Sequence, residues 1–92
     1  MDTYVAVMYE NNWYIGVVEA ENVEKEEVFV NFMESKGGNK FAWPKHADKL
    51  SVPIVDIIGV LSKPCKYSKY WKMLRKEYLR VVAAFHKRIV VA

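Results

Sequence analysis

Several residue types are scarce in this chain of 92 residues, which has one cysteine, three prolines and two histidines. The single cysteine, Cys65, excludes an internal disulfide framework and a cysteine-rich zinc site. No stretch approaches the ~20 consecutive apolar residues that a membrane-spanning helix needs. Residues 1–4 carry an acid and no basic cluster, so the start does not match a signal peptide. These absences predict an intracellular protein, nuclear or cytoplasmic, with no membrane partner.

Reactive side chains do not occur in any recognisable catalytic arrangement. His46 and His86 lie far apart in the sequence, and no motif surrounds Cys65. Asp48 and Asp56 flank neither a glycine-rich loop nor a metal-ligand pattern, and the serines lie in no nucleophile-elbow context. The sequence therefore predicts a protein that is not an enzyme, with no cofactor and no metal site.

Apolar residues make up 52% and aromatic residues 14% of the chain, which is enough for the core of one small domain. The charges are unevenly divided. Residues 1–62 carry ten acidic and five basic side chains, whereas residues 63–92 carry nine basic side chains and one acid, Glu77. Such segregation indicates two surfaces with different partners, or two parts that attract each other.

Residues 1–62 show the pattern of short strands joined by tight turns. Strands are predicted over residues 3–9, 13–20, 27–34, 41–43 and 50–61. Residues 10–12 form a polar turn in which the asparagines tolerate a left-handed backbone. Gly16, inside the second strand, indicates a bulge, a sharp bend or a close approach by another group. Because closure removes exposed strand edges, we predict a mostly β, five-stranded barrel.

Residues 63–92 change to a helical period. Ser68 is a plausible N-cap, and apolar side chains then recur at spacings of three and four residues, as on one face of a helix over residues 69–86. That stripe consists of Trp71, Leu74, Tyr78, Val81 and Phe85. Since an isolated helix of this length is marginal in water, the stripe must pack against something. We predict one folding unit, in which this basic amphipathic helix packs on the barrel of residues 1–62.

Three segments of the first sixty residues carry a family resemblance: VAVMY at residues 5–9, NWYIGVV at residues 12–18 and VFVNF at residues 28–32. With these segments, the first sixty residues resemble Tudor-like domains, which have an SH3-like barrel. The segment is also similar to a relative found in transposon-derived proteins, which pairs such a start with a Trp-Pro and a Val-Pro-x-x-Asp-Ile ending. Here those endings are Trp43-Pro44 and residues 52–57. The resemblance covers about two thirds of the chain.

The resemblance implies a chromatin-associated, nuclear protein-binding module that recognises methylated lysine or arginine on a basic tail through an aromatic cage. The matching positions are Tyr9, Tyr14 and Phe32, with Phe41 or Trp43 as a fourth wall and Glu34 or Asn31 as the polar group. A methylated ammonium over a ring face gains about 0.5–2 kcal/mol. The alternative is that these rings fill the small core that such a domain requires. The excess of acids in residues 1–62 favours a basic peptide.

Two other functions remain open from the sequence. The helix could bind nucleic-acid phosphates through its basic side chains, which are Lys69, Lys72, Lys76 and Arg80. Alternatively, its apolar stripe could bind a partner helix, as in a scaffold or dimerisation module. In the simplest case the stripe covers the barrel and the lysines stay in water. The oligomeric state is left open.

Overall fold

The computed structural model describes residues 2–91. Its strands are β1 (Thr3–Tyr9), β2 (Asn12–Asn22), β3 (Glu27–Phe32), β4 (Glu34–Ser35), β5 (Phe41–Ala42), β6 (Asp48–Pro53), β7 (Ile57–Leu61), β8 (Cys65–Tyr67) and β9 (Tyr70–Lys72). One 3-10 turn, Ile54–Asp56, joins β6 to β7, and helix α1 (Arg75–Val91) ends the described chain. The predicted mostly β class with a C-terminal helix is confirmed.

The main sheet has five antiparallel strands in the order β6-β3-β2-β1-β7. Strands β1 to β3 lie side by side in chain order, β4 and β5 leave for the second sheet, and β6 returns to pair with β3. The 3-10 turn then carries the chain across to β7, which pairs with β1. Strands β6 and β7 are the two edges and do not pair with each other in the described part of the chain. The backbone hydrogen bonds therefore do not close this sheet into the predicted barrel.

The polar turn predicted between the first two strands is present, but it is shorter than residues 10–12. Glu10 and Asn11 have φ angles of 46° and 64° and form a two-residue turn, whereas Asn12 already belongs to β2. Gly16 is a point of close approach, because a Cβ added there would lie 2.5 Å from the backbone oxygen of Asn31 and 2.7 Å from Cγ1 of Val30. A glycine at this position lets β3 approach β2 closely.

The two faces of the main sheet are buried in different ways. We call one the valine face; its buried residues are Val5, Val7, Val28, Val30, Phe32 and Val52. All of them come from strands of the main sheet, and Val30 has no exposed surface. Because no helix or second sheet contributes to this cluster, the main sheet curls over its own valine face.

The opposite face, which we call the covered face, packs against the rest of the chain. Its cluster consists of Tyr4, Ala6, Ile15, Met33, Phe41, Leu61, Met73 and Val81. Val81 brings α1 onto the sheet, and Tyr78 packs beside it. The helix therefore lies on the sheet, which is the arrangement that the stripe required. Within residues 2–91, no helix is both long enough and apolar enough to cross a membrane.

The second sheet has four short strands in the order β4-β5-β9-β8 and was not predicted. Residues 65–72 form the β8–β9 hairpin, so the prediction that a helix begins at Lys69 was wrong. Ser68 has a φ of 57° and lies in the hairpin turn, not at an N-cap. The reason is tertiary: Trp71 pairs with Phe41 of β5 and packs into the covered-face cluster. The helix begins six residues later, at Arg75.

Two side chains connect the helical end of the chain to the sheets. Asn39 donates from Nδ2 to the Met73 carbonyl (2.8 Å) and accepts from the Met73 backbone N–H (2.9 Å). Glu77, which is 9% exposed, accepts from the backbone N–H of Ser62 (3.1 Å) and from its hydroxyl (3.0 Å). These bonds satisfy the backbone of the buried Met73 and the carboxylate of the buried Glu77.

Candidate functional site

One cleft opens at the end of the valine face, and we call it the aromatic cleft. Its volume is about 280 Å³, and it is lined by Tyr9, Tyr14, Phe32, Asp48 and Leu50. Three aromatic rings, one carboxylate and one aliphatic side chain thus meet at an open surface. A cleft of this volume lies at the lower end of the range for ligand sites and has room for a side-chain head group.

Strand periodicity explains why these residues meet. Side chains two residues apart on a strand point to the same face, so Tyr9 continues the row of Val7 on β1 and Phe32 continues the row of Val30 on β3. The register of β3 with β6 then places Asp48 directly opposite Phe32. The buried rows consist of valine, and the same rows end in aromatic and acidic residues at the rim.

The rings of the cleft stand as adjacent walls. The ring centroids of Tyr14 and Phe32 are 6.3 Å apart, with an angle of 77° between the ring planes. Phe32 is 6% exposed and is anchored in the valine face, whereas Tyr9 is 43% exposed at the rim. Nearly perpendicular rings, one of them fixed by the core, form a rigid corner around a space that solvent can enter.

The charge at the cleft is negative and unpaired. The ion pairs within residues 2–91 are Lys36 with Glu34 and Lys49 with Glu19, and neither includes Asp48. In the same part of the chain, no lysine lies over the ring of Tyr9 or Tyr14. Open ring faces beside a free carboxylate attract a positively charged group.

The structure brings together three of the residues predicted for a cage, Tyr9, Tyr14 and Phe32. It does not bring Phe41 to them. Phe41 is 3% exposed, and its ring lies 6.1 Å from that of Trp13 within the covered-face packing. The prediction of Phe41 as a fourth wall was therefore wrong, because β5 belongs to the second sheet and pairs with β9.

Two other predicted cage residues also lie away from the cleft. Trp43 follows β5 and is 36% exposed, but it does not line the cleft. Glu34 is on β4 and accepts a hydrogen bond from Nζ of Lys36, and this bond, together with the charge of Glu34, raises the pKa of Lys36. The carboxylate of the cleft is Asp48 instead of Glu34.

The sequence patterns did not identify Asp48 and Leu50 as site residues. The predicted strand began at Leu50, whereas β6 begins at Asp48. The signal that identifies them is the pairing of β3 with β6, in which Val30 faces Leu50 and Phe32 faces Asp48. That register depends on how the irregular residues 43–47 connect the strands, and no local pattern encodes it.

A second aromatic cluster occurs on the β8–β9 hairpin, and we call it the basic hairpin face. It consists of Lys40, Tyr67, Lys69, Tyr70 and Lys72. The Nζ atoms of Lys40 and Lys69 lie 5.7 and 5.5 Å from the centroid of the Tyr70 ring. Nζ of Lys72 lies 5.8 Å from the centroid of Tyr67.

The four basic residues predicted to lie on the helix are divided between elements. Lys69 lies in the hairpin turn and Lys72 on β9, while Lys76 and Arg80 are on α1. The prediction that all four belong to the helix was therefore wrong for Lys69 and Lys72. Within residues 2–91, no group of three or more His, Cys, Asp or Glu side chains is placed to hold a metal ion.

Comparison with known proteins found no matching family model, no matching curated protein and no matching solved structure.

Proposed function

We propose that the protein is a non-catalytic binding module whose aromatic cleft encloses a methylated lysine or arginine side chain of a basic protein tail. The observation that carries this proposal is the meeting of Tyr9, Tyr14 and Phe32 with Asp48 at an open cleft. Each ring comes from a different strand, so the three ring planes are held by the sheet itself.

The architecture supports an SH3-like, Tudor-type barrel for this module. The main sheet has five antiparallel strands, and its last strand, β7, returns beside β1. The sheet also curls over its valine face, although β6 and β7 do not pair. Such curling gives a small barrel-like core with a rim, and the cleft lies at that rim. We further propose that the protein is nuclear and associated with chromatin.

The chemistry of the cleft suits a methylated cation. Methyl groups remove donors from an ammonium and weaken its hydration, while the charge remains and attracts ring faces by about 0.5–2 kcal/mol per ring. Asp48 adds a negative charge at the rim, where it steers a cation more than it binds it. The acidic surplus of residues 1–62 extends this steering to a basic peptide.

The test is a binding titration with lysine-rich and arginine-rich peptides that carry one modified residue each. We expect trimethyl-lysine or dimethyl-arginine peptides to bind more tightly than unmodified ones. A peptide with the uncharged tert-butyl analogue of trimethyl-lysine keeps the shape and loses the charge, so we expect weaker binding. Equal affinity for the charged and uncharged analogues would rule out recognition through cation–π contacts.

Variants distinguish the cleft from the other aromatic residues. Tyr14→Ala removes one wall, and we expect it to weaken binding of the best methylated peptide by about tenfold. Trp43→Ala is the control, because Trp43 is a solvent-accessible aromatic residue that does not line the cleft. Circular dichroism of both variants checks that they fold. If Trp43→Ala reduces affinity as much as Tyr14→Ala does, the cleft is not the binding site.

A further inference from the structure

The basic hairpin face is the strongest surface feature outside the aromatic cleft. It belongs to the second sheet, whereas the cleft belongs to the main sheet. We propose that this face binds single-stranded nucleic acid, with its lysines on phosphates and its tyrosines against bases. The two surfaces share no residue, so this proposal stands or falls independently of the function proposed for the cleft.

Strand pairing sets the two tyrosines side by side. Tyr67 pairs with Tyr70 across the turn, and opposed residues of an antiparallel pair project to the same side. The neighbouring Trp71 projects to the other side, where it packs into the covered-face cluster. The tyrosines therefore lie on the solvent side, and Tyr67 is 59% exposed.

The three lysines of this face all lie close to the rings of Tyr67 and Tyr70. Lys40 and Lys69 share the ring of Tyr70, at 5.7 and 5.5 Å from its centroid, while Lys72 is 5.8 Å from that of Tyr67. None of the three belongs to an ion pair in the described part of the chain. Like charges gathered on neighbouring rings repel each other, and a bound anion relieves that repulsion.

A concavity of about 320 Å³ adjoins the hairpin face and adds a fourth cation. It is lined by Asn39, Cys65, Tyr67, Lys72, Met73, Leu74 and Arg75. The Arg75 guanidinium can donate two parallel hydrogen bonds to a phosphate. The one acid in residues 63–91, Glu77, is buried, and Glu34 on the far edge strand is paired with Lys36. Carboxylates therefore do not neutralise this surface.

Exposed rings between lysines fit a single strand better than other polyanions. Phosphates repeat along a single strand, so neighbouring phosphates can contact different lysines of this face, and unpaired bases offer a flat face to each tyrosine. In a duplex the base faces are stacked inside the helix, so an exposed tyrosine gains nothing there. An acidic peptide supplies the charge but lacks the flat faces. The combination of both residue types is what favours single-stranded nucleic acid.

The experiment measures fluorescence anisotropy of a labelled 20-nucleotide oligothymidylate with the full chain. We expect binding at 50 mM salt that weakens as salt increases, with the logarithm of the affinity falling by about 0.7 per contacted phosphate per unit of log salt. The triple variant K40Q/K69Q/K72Q should reduce this slope by about 2 and lose most of the affinity at 50 mM salt. Tyr67→Ala should weaken the oligothymidylate complex by about tenfold, because one stacked base is lost.

The controls separate a site from general charge attraction. The triple variant K25Q/K45Q/K87Q removes the same charge from exposed lysines outside the face, and we expect little change. A duplex of the same length and a polyglutamate peptide serve as competing polyanions and should bind more weakly.

Equal losses in the two triple variants, equal binding of polyglutamate, or no effect of Tyr67→Ala would each overturn the proposal. Methyl-peptide titration of K40Q/K69Q/K72Q should give the wild-type affinity, because the cleft is unchanged.

Discussion

The two aromatic surfaces of this protein use the same side chain in opposite electrostatic settings. In the aromatic cleft, Tyr9 and Tyr14 stand beside a free carboxylate, and no lysine of the described chain lies over them. On the basic hairpin face, Tyr67 and Tyr70 have lysines at 5.5–5.8 Å from their ring centroids. The cleft therefore has open ring faces, whereas the hairpin rings already have cationic partners.

This difference in charge explains why neither surface can bind the ligand proposed for the other. A ring whose face is occupied by a lysine of the same chain gains little from an external cation, because the internal lysine must first leave. The same lysine adds positive charge, which favours an anionic partner. The presence of tyrosines therefore does not by itself identify a methyl-lysine site. The feature that distinguishes the two kinds of site is whether a cation of the same chain lies over the ring.

The largest effect is expected at Gly16, where β2 and β3 approach each other closely beside the cleft residue Phe32. In Gly16→Ala the new Cβ would meet the Asn31 backbone oxygen at 2.5 Å, so β3 must move away from β2. We expect a loss of about 2–3 kcal/mol in the free energy of unfolding, measured by urea denaturation. Because Phe32 pairs with Gly16, methyl-peptide binding should weaken while the hairpin face keeps its oligothymidylate affinity.

Gly59→Ala is the matched control for that change. Gly59 also lies in a strand of the main sheet, β7, but an added Cβ would lie 3.4 Å from Cγ2 of Val81, which can move. The change in strand propensity is the same for both substitutions, so the difference between them measures the clash. Equal stability of the two variants would mean that β2 and β3 are not as close as the structure has them.

The second-largest effect is expected at Asn39, whose side chain holds the backbone of Met73, directly after the β8–β9 hairpin. Asn39→Ala leaves the backbone N–H and carbonyl of Met73 without their partner, and we expect a loss of about 2 kcal/mol in unfolding free energy. Thermal unfolding followed by circular dichroism measures it. Asn22→Ala is the control, since its side chain accepts one bond in an exposed turn, and a loss of under about 1 kcal/mol is expected there.

The contrast between the surfaces also shows which parts of the molecule the sequence can predict. Strands β1 to β3 were predictable because their apolar residues dominate and their turns are short and polar. The hairpin of residues 65–72 was not, because the spacing of Trp71 and Leu74 also fits a helix. Its strand conformation depends on the pairing of Trp71 with Phe41, which lies thirty residues earlier.

The candidate site was predictable to the extent that it lies on predicted strands. Tyr9, Tyr14 and Phe32 follow strand rows that are visible in the sequence, and the structure brings them together. The prediction that Phe41 or Trp43 completes the cage was wrong because β5 joins a second sheet, which no local sequence pattern indicates. Asp48 was missed because its position opposite Phe32 is a matter of register between strands that are separated by an irregular loop.

A third prediction tests whether an internal cation determines the choice of partner. Leu50 lines the cleft and is 40% exposed, so Leu50→Lys offers the cleft a lysine of its own, as the hairpin rings have. We expect methyl-peptide affinity to fall by about tenfold, because the internal ammonium competes for the ring faces. Leu50→Gln is the control for loss of the aliphatic side chain, and its smaller effect should be insensitive to salt. Equal losses in both variants would show that side-chain shape, and not charge, controls access.

The smallest effect is expected from Asp48→Asn, which keeps the shape of the cleft and removes its charge. Asp48 is exposed, so its attraction for a bound cation is screened by water and should contribute about 0.5–1 kcal/mol, or a two- to fivefold change in affinity. Titrations at low and high salt provide the measurement, because the wild-type advantage should shrink as salt rises. Glu19→Gln is a suitable control, since that carboxylate is paired with Lys49 at 3.0 Å and does not line the cleft. If both substitutions weaken binding equally, the general acidity of the sheet attracts the peptide, and Asp48 has no particular role in the cleft.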